Sequence, residues 1–571
     1  MKKQTSRPVR RQAEIRAFGT AAILLVVSFL VLFHIIYPVK FDNYGGKHMW
    51  LAGSTVKFIN IWLQDGLLQD RFTFYESFRS VEFATAADRT PYVSYPTLMA
   101  VFPFLTAKLM GLSHIGLSFL KHFALVCYAA EMLLFAALIQ LVLSDLKVGT
   151  PRVRAVMAFF TSLFWVLIPG NLWYQINVFW VDQAVIFWIH LYLFLEYLHL
   201  RGGFADRKRQ ILLTAGRAVV IFCGMLTDYY FWIFIFLAFV LRMIFLICRK
   251  REFKIILREA CVYVLPVAAA LGAFLWQLTH VAGWQEQLAA KFLERTGTES
   301  ENNVLVDIFL NFARTQADFS AHRAALLTLL ILAACVLSAL AWKREGGSKK
   351  SLEESAPYAI ILLGLISPAV QILFLKNHSA VHEYAIVKVS WIVAVSILLL
   401  ALGLAAYRRK SGARQQLTEK RLLTSFLISV LLFLWLTNAP FNIRNFLDER
   451  DWDKQYPLAE YLYENAQYQD VYYTFTTPVK KNPPEQLAIA QKEVHLISSP
   501  EEIRTLYPDL PEEAEKYLVI QKDYIVEDPD LPITTEEGLA EVRKWEEELL
   551  SNAEIVWEDD SCLIAALPGD V

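Results

Sequence analysis

Phe41-Asp42-Asn43-Tyr44-Gly45-Gly46-Lys47-His48-Met49-Trp50 opens, and Thr90-Pro91-Tyr92-Val93-Ser94-Tyr95-Pro96 closes, a stretch that is polar, aromatic and rich in acids. Long apolar segments lie on both sides of it. Such a stretch is not a lipid-facing span, because hydrocarbon offers its charges and backbone groups no partners. It is expected on or over a membrane surface, with the chemistry of the chain beneath it.

The 571 residues are 56% hydrophobic, 14% aromatic and only 19% charged, with a mean hydropathy of +0.36. That is the composition of a membrane protein rather than of an ordinary soluble domain. Apolar runs long enough to cross about 30 Å of hydrocarbon suggest about eleven spans, near 17–38, 117–144, 154–171, 179–199, 211–227, 229–247, 258–279, 323–342, 357–375, 384–407 and 422–440. Lys2, Lys3, Arg7, Arg10, Arg11 and Arg16 precede the first, as in a secretory signal. It is too long for one, however, and Ile36-Tyr37-Pro38 offers no small-residue cleavage site, so it reads as a retained helix.

Alternate loops are basic, which orients the chain. The N-terminal tail, Lys147 with Arg152 and Arg154, Arg207 to Arg209, Arg249 to Arg251, Lys343 with Arg344, and Arg408 to Lys410 all fall on one side, the cytoplasm. The loop 39–116, the segment 280–322 and the tail from 441 then lie outside. The balanced net charge of −1 hides this segregation, and no basic nucleic-acid patch is read from it. Six scattered cysteines imply no disulfide framework.

On the outer face, Asp42 stands directly after the first span. Residues 47–64 read as an amphipathic helix lying in the interface, its tryptophans at headgroup depth and Gly66 its stop. The run 98–109, broken by Pro103, reads as re-entrant or packed on the bundle. Asp182 lies just inside the outer end of an apolar helix, where an unpaired carboxylate is expensive. Asp228 repeats the situation in a turn, and His190 lies deeper in the fourth span. In Lys376 to Lys388, His378 and His382 stand at the i, i+4 spacing used by zinc sites, yet no His-Glu-x-x-His pattern is present. Lys388 needs a partner one turn further in, and either a carboxylate such as Asp182 or Asp228 or a phosphate would serve. Helical spacing of Leu305, Ile308, Phe309 and Phe312 predicts a surface helix. From Phe441 onward the chain turns acidic, and β-like runs alternate with helical ones, predicting a small α/β domain over 441–571 outside the membrane, after a membrane domain over 1–440.

A long external loop with an acid just after the first span, closed by Tyr95-Pro96 and followed by an acid at the start of the fourth span, resembles the C-superfamily of membrane glycosyltransferases, which includes protein O-mannosyltransferases and aminoarabinose transferases. The resemblance covers roughly residues 17–400. It implies transfer of a sugar from a polyprenyl-phosphate donor to an acceptor hydroxyl at the outer face of a bacterial plasma membrane. It implies Asp42 as general base, Asp182 as a second cavity acid, and Lys388 with His378 or His382 and Arg89 around the leaving phosphate. Tyr92, Tyr95, Asp228 and His48 complete the expected substrate-binding set. Many members carry Asp-Glu where this chain has Asp42-Asn43, so a divalent metal there stays an open question. A transporter or flippase of a lipid-linked or anionic substrate, and a non-catalytic membrane assembly protein, are the alternatives; no internal repeat of the kind carriers show is visible.

Overall fold

The computed structural model describes residues 7–40, 44–85, 88–201, 207–248, 250–297, 304–344, 352–407, 419–439, 456–475, 484–522 and 535–569. Asp42 lies outside them. The chain divides into two units: one holds Met1–Phe41, Ser94–Met99 and Lys121–Glu449, the other Asp42–Val93, Ala100–Leu120 and Arg450–Val571. The sequence reading groups the loop 39–116 with the membrane domain, whereas most of it clusters with the C-terminal residues.

The first unit is a helix bundle. Among the described residues, nine helices are long and apolar enough to cross a membrane, or ten if a bent pair counts as one span. In chain order the helices are α1 (Arg7–Lys40), α4 (Leu117–Asp145), α5 (Pro151–Val166), α6 (Pro169–Asn177), α7 (Val181–Leu200), α8 (Arg207–Met225), α9 (Tyr229–Cys248), α10 (Phe253–Leu278), α11 (Trp284–Thr296), α12 (Val304–Gln316), α13 (Ala321–Arg344), α14 (Leu352–Phe374), α15 (Lys376–Val381), α16 (Ser390–Tyr407) and α17 (Glu419–Thr437). A 3₁₀ segment, Glu383–Val389, leads into α16. In the apolar stretch Glu383–Leu404, 94% of the span is buried, against 17% for Ala321–Ala341, so α16 is the central pillar and α13 faces outward.

Two segments take a form of their own. The region 211–227 is a helix, α8, but it does not pass as an apolar span. Arg217, fully buried, instead pairs with Glu196 of α7 at 2.7 Å and reaches Glu259 of α10 at 3.7 Å, so α8 is held by charge inside the bundle. The connection between the expected spans near 154–171 and 179–199 is largely helical too: α6 leaves α5 at 67°. Pro169 sets that break, and the Asn171 amide donates to the Trp165 carbonyl at 2.8 Å, satisfying a backbone acceptor freed by it.

In the second unit, α2 (Met49–Asp65) and α3 (Leu98–Leu109) accompany a short antiparallel pair, β1 (Phe74–Tyr75) with β2 (Pro91–Tyr92). The C-terminal part carries α18 (Pro457–Asn465), α19 (Pro484–Ala490), α20 (Glu502–Thr505) and α21 (Glu536–Leu550). Its five strands, β3 (Val471–Thr474), β4 (Val494–Leu496), β5 (Lys516–Gln521), β6 (Glu554–Glu558) and β7 (Cys562–Ala566), form a sheet in the order β4-β3-β5-β7-β6. β3 runs parallel to β4 and β5, and β7 antiparallel to β5 and β6. Val471, Tyr473, Leu518 and Ile520 bury one face against Ile503 and Val542.

Helix α2 is not interfacial. It is buried on nearly all sides from Met49 to Leu63, and Trp62 is enclosed while only Trp50 is exposed. Its polar positions look solvent-facing in sequence because their partners are distant: Asn60 exchanges hydrogen bonds with the Ile115 backbone at 2.8 and 3.0 Å. Gly66, at φ +100°, ends the helix as expected. Gly53 is where α2 meets α19, since a Cβ there would lie 2.6 Å from the Glu485 backbone nitrogen. Gly53→Ala is therefore expected to lower stability by about 1–3 kcal/mol through forced displacement of backbone. Gly272→Ala in α10, with nothing within 4 Å of the added carbon, should leave the thermal midpoint nearly unchanged; equal melting of the two variants would contradict the close approach.

Candidate functional site

Three charged side chains far apart in sequence meet inside the helix bundle. Asp182 stands on the first turn of α7, Asp228 in the turn between α8 and α9, and Lys388 on the 3₁₀ segment before α16. The Lys388 ammonium lies 2.6 Å from Asp182 Oδ1 and donates a hydrogen bond to Asp228 Oδ2 at 2.8 Å. All three side chains are 4% exposed or less. Taking one charge of such a set out of water is costly, and its opposite number must be in contact to offset it. Here two carboxylates share one cation, a formal charge of −1 with both acids ionised. Asp182 Oδ2 has no hydrogen-bond partner among the described residues.

The 3₁₀ geometry of Glu383–Val389 has a local cause and a local use. Seven residues is long for this tighter helix. The segment is anchored at its start by Tyr174 of α6, whose hydroxyl donates to Glu383 Oε1 at 2.5 Å, and Arg314 of α12 approaches the same carboxylate at 3.8 Å. It turns Lys388 toward α7 and α9, over the Tyr230 ring at 5.1 Å. Beneath it, Ser390 accepts from the Trp165 indole at 3.1 Å and donates to Asn171 at 2.9 Å.

A second layer adjoins the triad. The Tyr95 ring packs against Trp180 at 6.1 Å and Tyr229 at 5.8 Å, which neighbour the two acids in sequence. Arg295, from α11, stacks over Tyr95 at 4.1 Å, lies 5.7 Å from the Tyr229 ring, and donates to the Ser94 carbonyl at 2.9 Å. Tyr95 Oη is 3.5 Å from His378 Nε2. His378 and His382 lie with ring centroids 4.8 Å apart, and His382 stacks on Tyr384. Helix α12 holds this corner, because Asn311 donates to the carbonyls of Ser379 and Ala380 at 3.0 and 2.7 Å. Burial pushes the His378 imidazole well below its ordinary pKa, helped by the nearby charges of His382, Arg295 and Lys388.

The bundle thus brings together Asp182, Asp228, Lys388, Tyr95, His378 and His382. The other expected residues belong to the second unit. Arg89 is held there by Asp65 at 2.5 Å and Asp70 at 3.4 Å, with its guanidinium over Tyr75, so its charge is already matched. Burial raises Asp70 to about 6 even though Arg89 opposes the shift. Tyr92 lies on β2 against the Phe58 ring, and His48 occupies a left-handed turn at the start of α2. Arg295, Tyr174 and Glu383 are the site residues that sequence reasoning missed. Arg295 stands on α11, in a segment with no motif, and its partners Ser94 and Tyr95 lie about 200 residues away. His190 is buried between Phe135 and Trp165 beneath Lys388. Among the described residues, no group of three or more His, Cys, Asp or Glu side chains is arranged to hold a metal.

No protein-family model matches the chain, and no curated protein sequence matches it. Solved structures do. ArnT from Cupriavidus metallidurans, bound to undecaprenyl phosphate, is 12% identical and superposes with a TM-score of 0.54 over 95% of this chain and 97% of its own. Its apo state gives 11% identity and a TM-score of 0.54, over 96% and 98%. The apo oligosaccharyltransferase of Archaeoglobus fulgidus is 15% identical with a TM-score of 0.52, over 89% of this chain and 70% of its own. The chain shares the fold of these structures: a helix bundle with nine or ten candidate membrane spans among the described residues, and a small C-terminal sheet.

A proton binds the unfolded chain at the ordinary imidazole pKa of about 6.5 but is resisted by buried His378 in the folded one. Stability is therefore expected to rise with pH from the acid side up to about 6.5, the ordinary imidazole value, and to level off above it. His378→Gln should flatten that rise in thermal melts; an unchanged pH profile would show that His378 is not the resisting group.

Proposed function

We propose that the chain is a membrane glycosyltransferase, moving a sugar from a polyprenyl-phosphate donor to an acceptor hydroxyl at the outer face of a bacterial plasma membrane. One observation carries the reading. The fold matches, over nearly its full length, a structure whose bound molecule is undecaprenyl phosphate, and this bundle gathers buried acids and cations at one end of α7, α9 and α16.

Such a donor keeps its lipid in the bilayer and its phosphate at the interface. Inverting transfer then needs a base for the acceptor hydroxyl, contributing about 10²- to 10⁴-fold, and fixed positive charge where the lipid phosphate departs. Asp42 is assigned as the base, and Asp182, whose second oxygen has no partner among the described residues, as the acid that orients the acceptor. Lys388 already matches two carboxylates, so the departing phosphate is assigned chiefly to Arg295, with His378 and His382 as donors beside it. The N-terminus is assigned to the cytoplasm and the C-terminal sheet to the outside.

The test is transfer of radiolabelled sugar from a panel of polyprenyl-phosphate donors in membranes holding the full chain. Wild type should transfer, and Asp42→Asn should lose about 10²- to 10⁴-fold while still binding donor. Full activity in Asp42→Asn would remove it as base, and no transfer from any donor would overturn the enzyme reading.

A further inference from the structure

Two buried carboxylates converging in a site that handles phosphate are ordinarily the holders of a Mg²⁺ or Mn²⁺ ion, which binds through one or two carboxylates plus phosphate oxygens. Asp182 and Asp228 make such a pair. The space between them is taken, because Lys388 Nζ stands 2.6 Å from one and 2.8 Å from the other, which is where a shared ion would sit. The residues present therefore do not fit a divalent metal at this pair.

We infer that Lys388 is a tethered cation standing in for a divalent metal ion between Asp182 and Asp228, so that the site works without metal and gains a metal-binding site when the lysine is removed. The inference rests on the proposed transferase reading for its functional meaning, but its test reads metal binding and does not require transfer. Three features support it. The ammonium is fixed, since it comes from a 3₁₀ segment anchored by Tyr174 and Glu383. It has three donors, of which the acids engage two, leaving one N–H to turn toward a substrate oxygen. The two acids outnumber the one cation, so truncating the lysine leaves a buried carboxylate pair of the kind that takes up a hard cation.

The full chain in detergent, as wild type, Lys388→Ala, Lys388→Arg and the double variant Lys388→Ala/Asp228→Asn, would be titrated with Mn²⁺. The Mn²⁺ electron paramagnetic resonance signal and the thermal midpoint would both be read. Wild type is expected to bind no Mn²⁺ at this pair and to melt identically with chelator. Lys388→Ala should melt several degrees lower, bind one Mn²⁺, and recover most of the lost stability with it by linkage. Lys388→Arg should behave as wild type, and the double variant should lose the gained ion. Two results would overturn the inference: one equivalent of Mn²⁺ on wild type that is abolished by Asp182→Asn, or a folded Lys388→Ala that takes up none. If Lys388→Ala does not fold, the wild-type titration decides alone, since an equivalent of Mn²⁺ lost in Asp182→Asn contradicts the inference and none supports it.

Discussion

The contact between Lys388 and the two acids, Asp182 and Asp228, is the constraint on which the bundle depends. None of the three could remain at its depth alone, since an isolated charge in hydrocarbon or in a dry protein interior is driven out or neutralised. Together they tie α7, the α8–α9 turn and the start of α16 to one point. Lys388 stands on the 3₁₀ winding that leads into the deeply buried α16, and Ser390 just after it bonds Trp165 of α5 and Asn171 of α6 on either side of their bend. Polar side chains, Asn171, Ser390 and Tyr174, satisfy the backbone and carboxylate groups that this irregular geometry would otherwise strand.

The same constraint limits what Lys388 does. A lysine matched by two carboxylates is a poor anchor for a dianionic phosphate, because the approaching charge meets a net negative set. The cation nearest in kind is Arg295, stacked on Tyr95 and Tyr229, where a planar guanidinium is better suited than an ammonium to a phosphate edge. In the proposed reaction, acid and cation roles fall to two adjoining layers, the triad and Arg295 with the two histidines beside it.

How much of this could be read from the chain alone follows from what each residue's energetics depend on. Asp182, Asp228 and Lys388 were legible because charge inside an apolar run has few explanations, and the pairing of Lys388 with an acid was one of them. The five strands from Val471 to Ala566 were legible because short apolar and β-branched runs separated by turn residues mark strands locally. Asp42 lies outside the described residues. Helix α2 was misread because Lys57 and Asn60 resemble a solvated face, and only the tertiary fold supplies Asn60 with the Ile115 backbone. The expected span near 211–227 is a helix, and what the chain alone did not give is the partner of its charge: Arg217 pairs with Glu196 on another helix. Arg295 was invisible because a cation's stacking on tyrosines so distant in sequence leaves no local pattern.

The most direct test of the account is binding of undecaprenyl phosphate, with undecaprenol as the matched lipid lacking phosphate, to the purified full chain by native mass spectrometry. One saturable undecaprenyl phosphate is expected, with undecaprenol binding at least about tenfold more weakly, a difference of about 1.4 kcal/mol that a phosphate-recognising cation readily supplies, and with that preference lost in Arg295→Ala. Equal binding of the two lipids, or a phosphate preference untouched by Arg295→Ala, would contradict it.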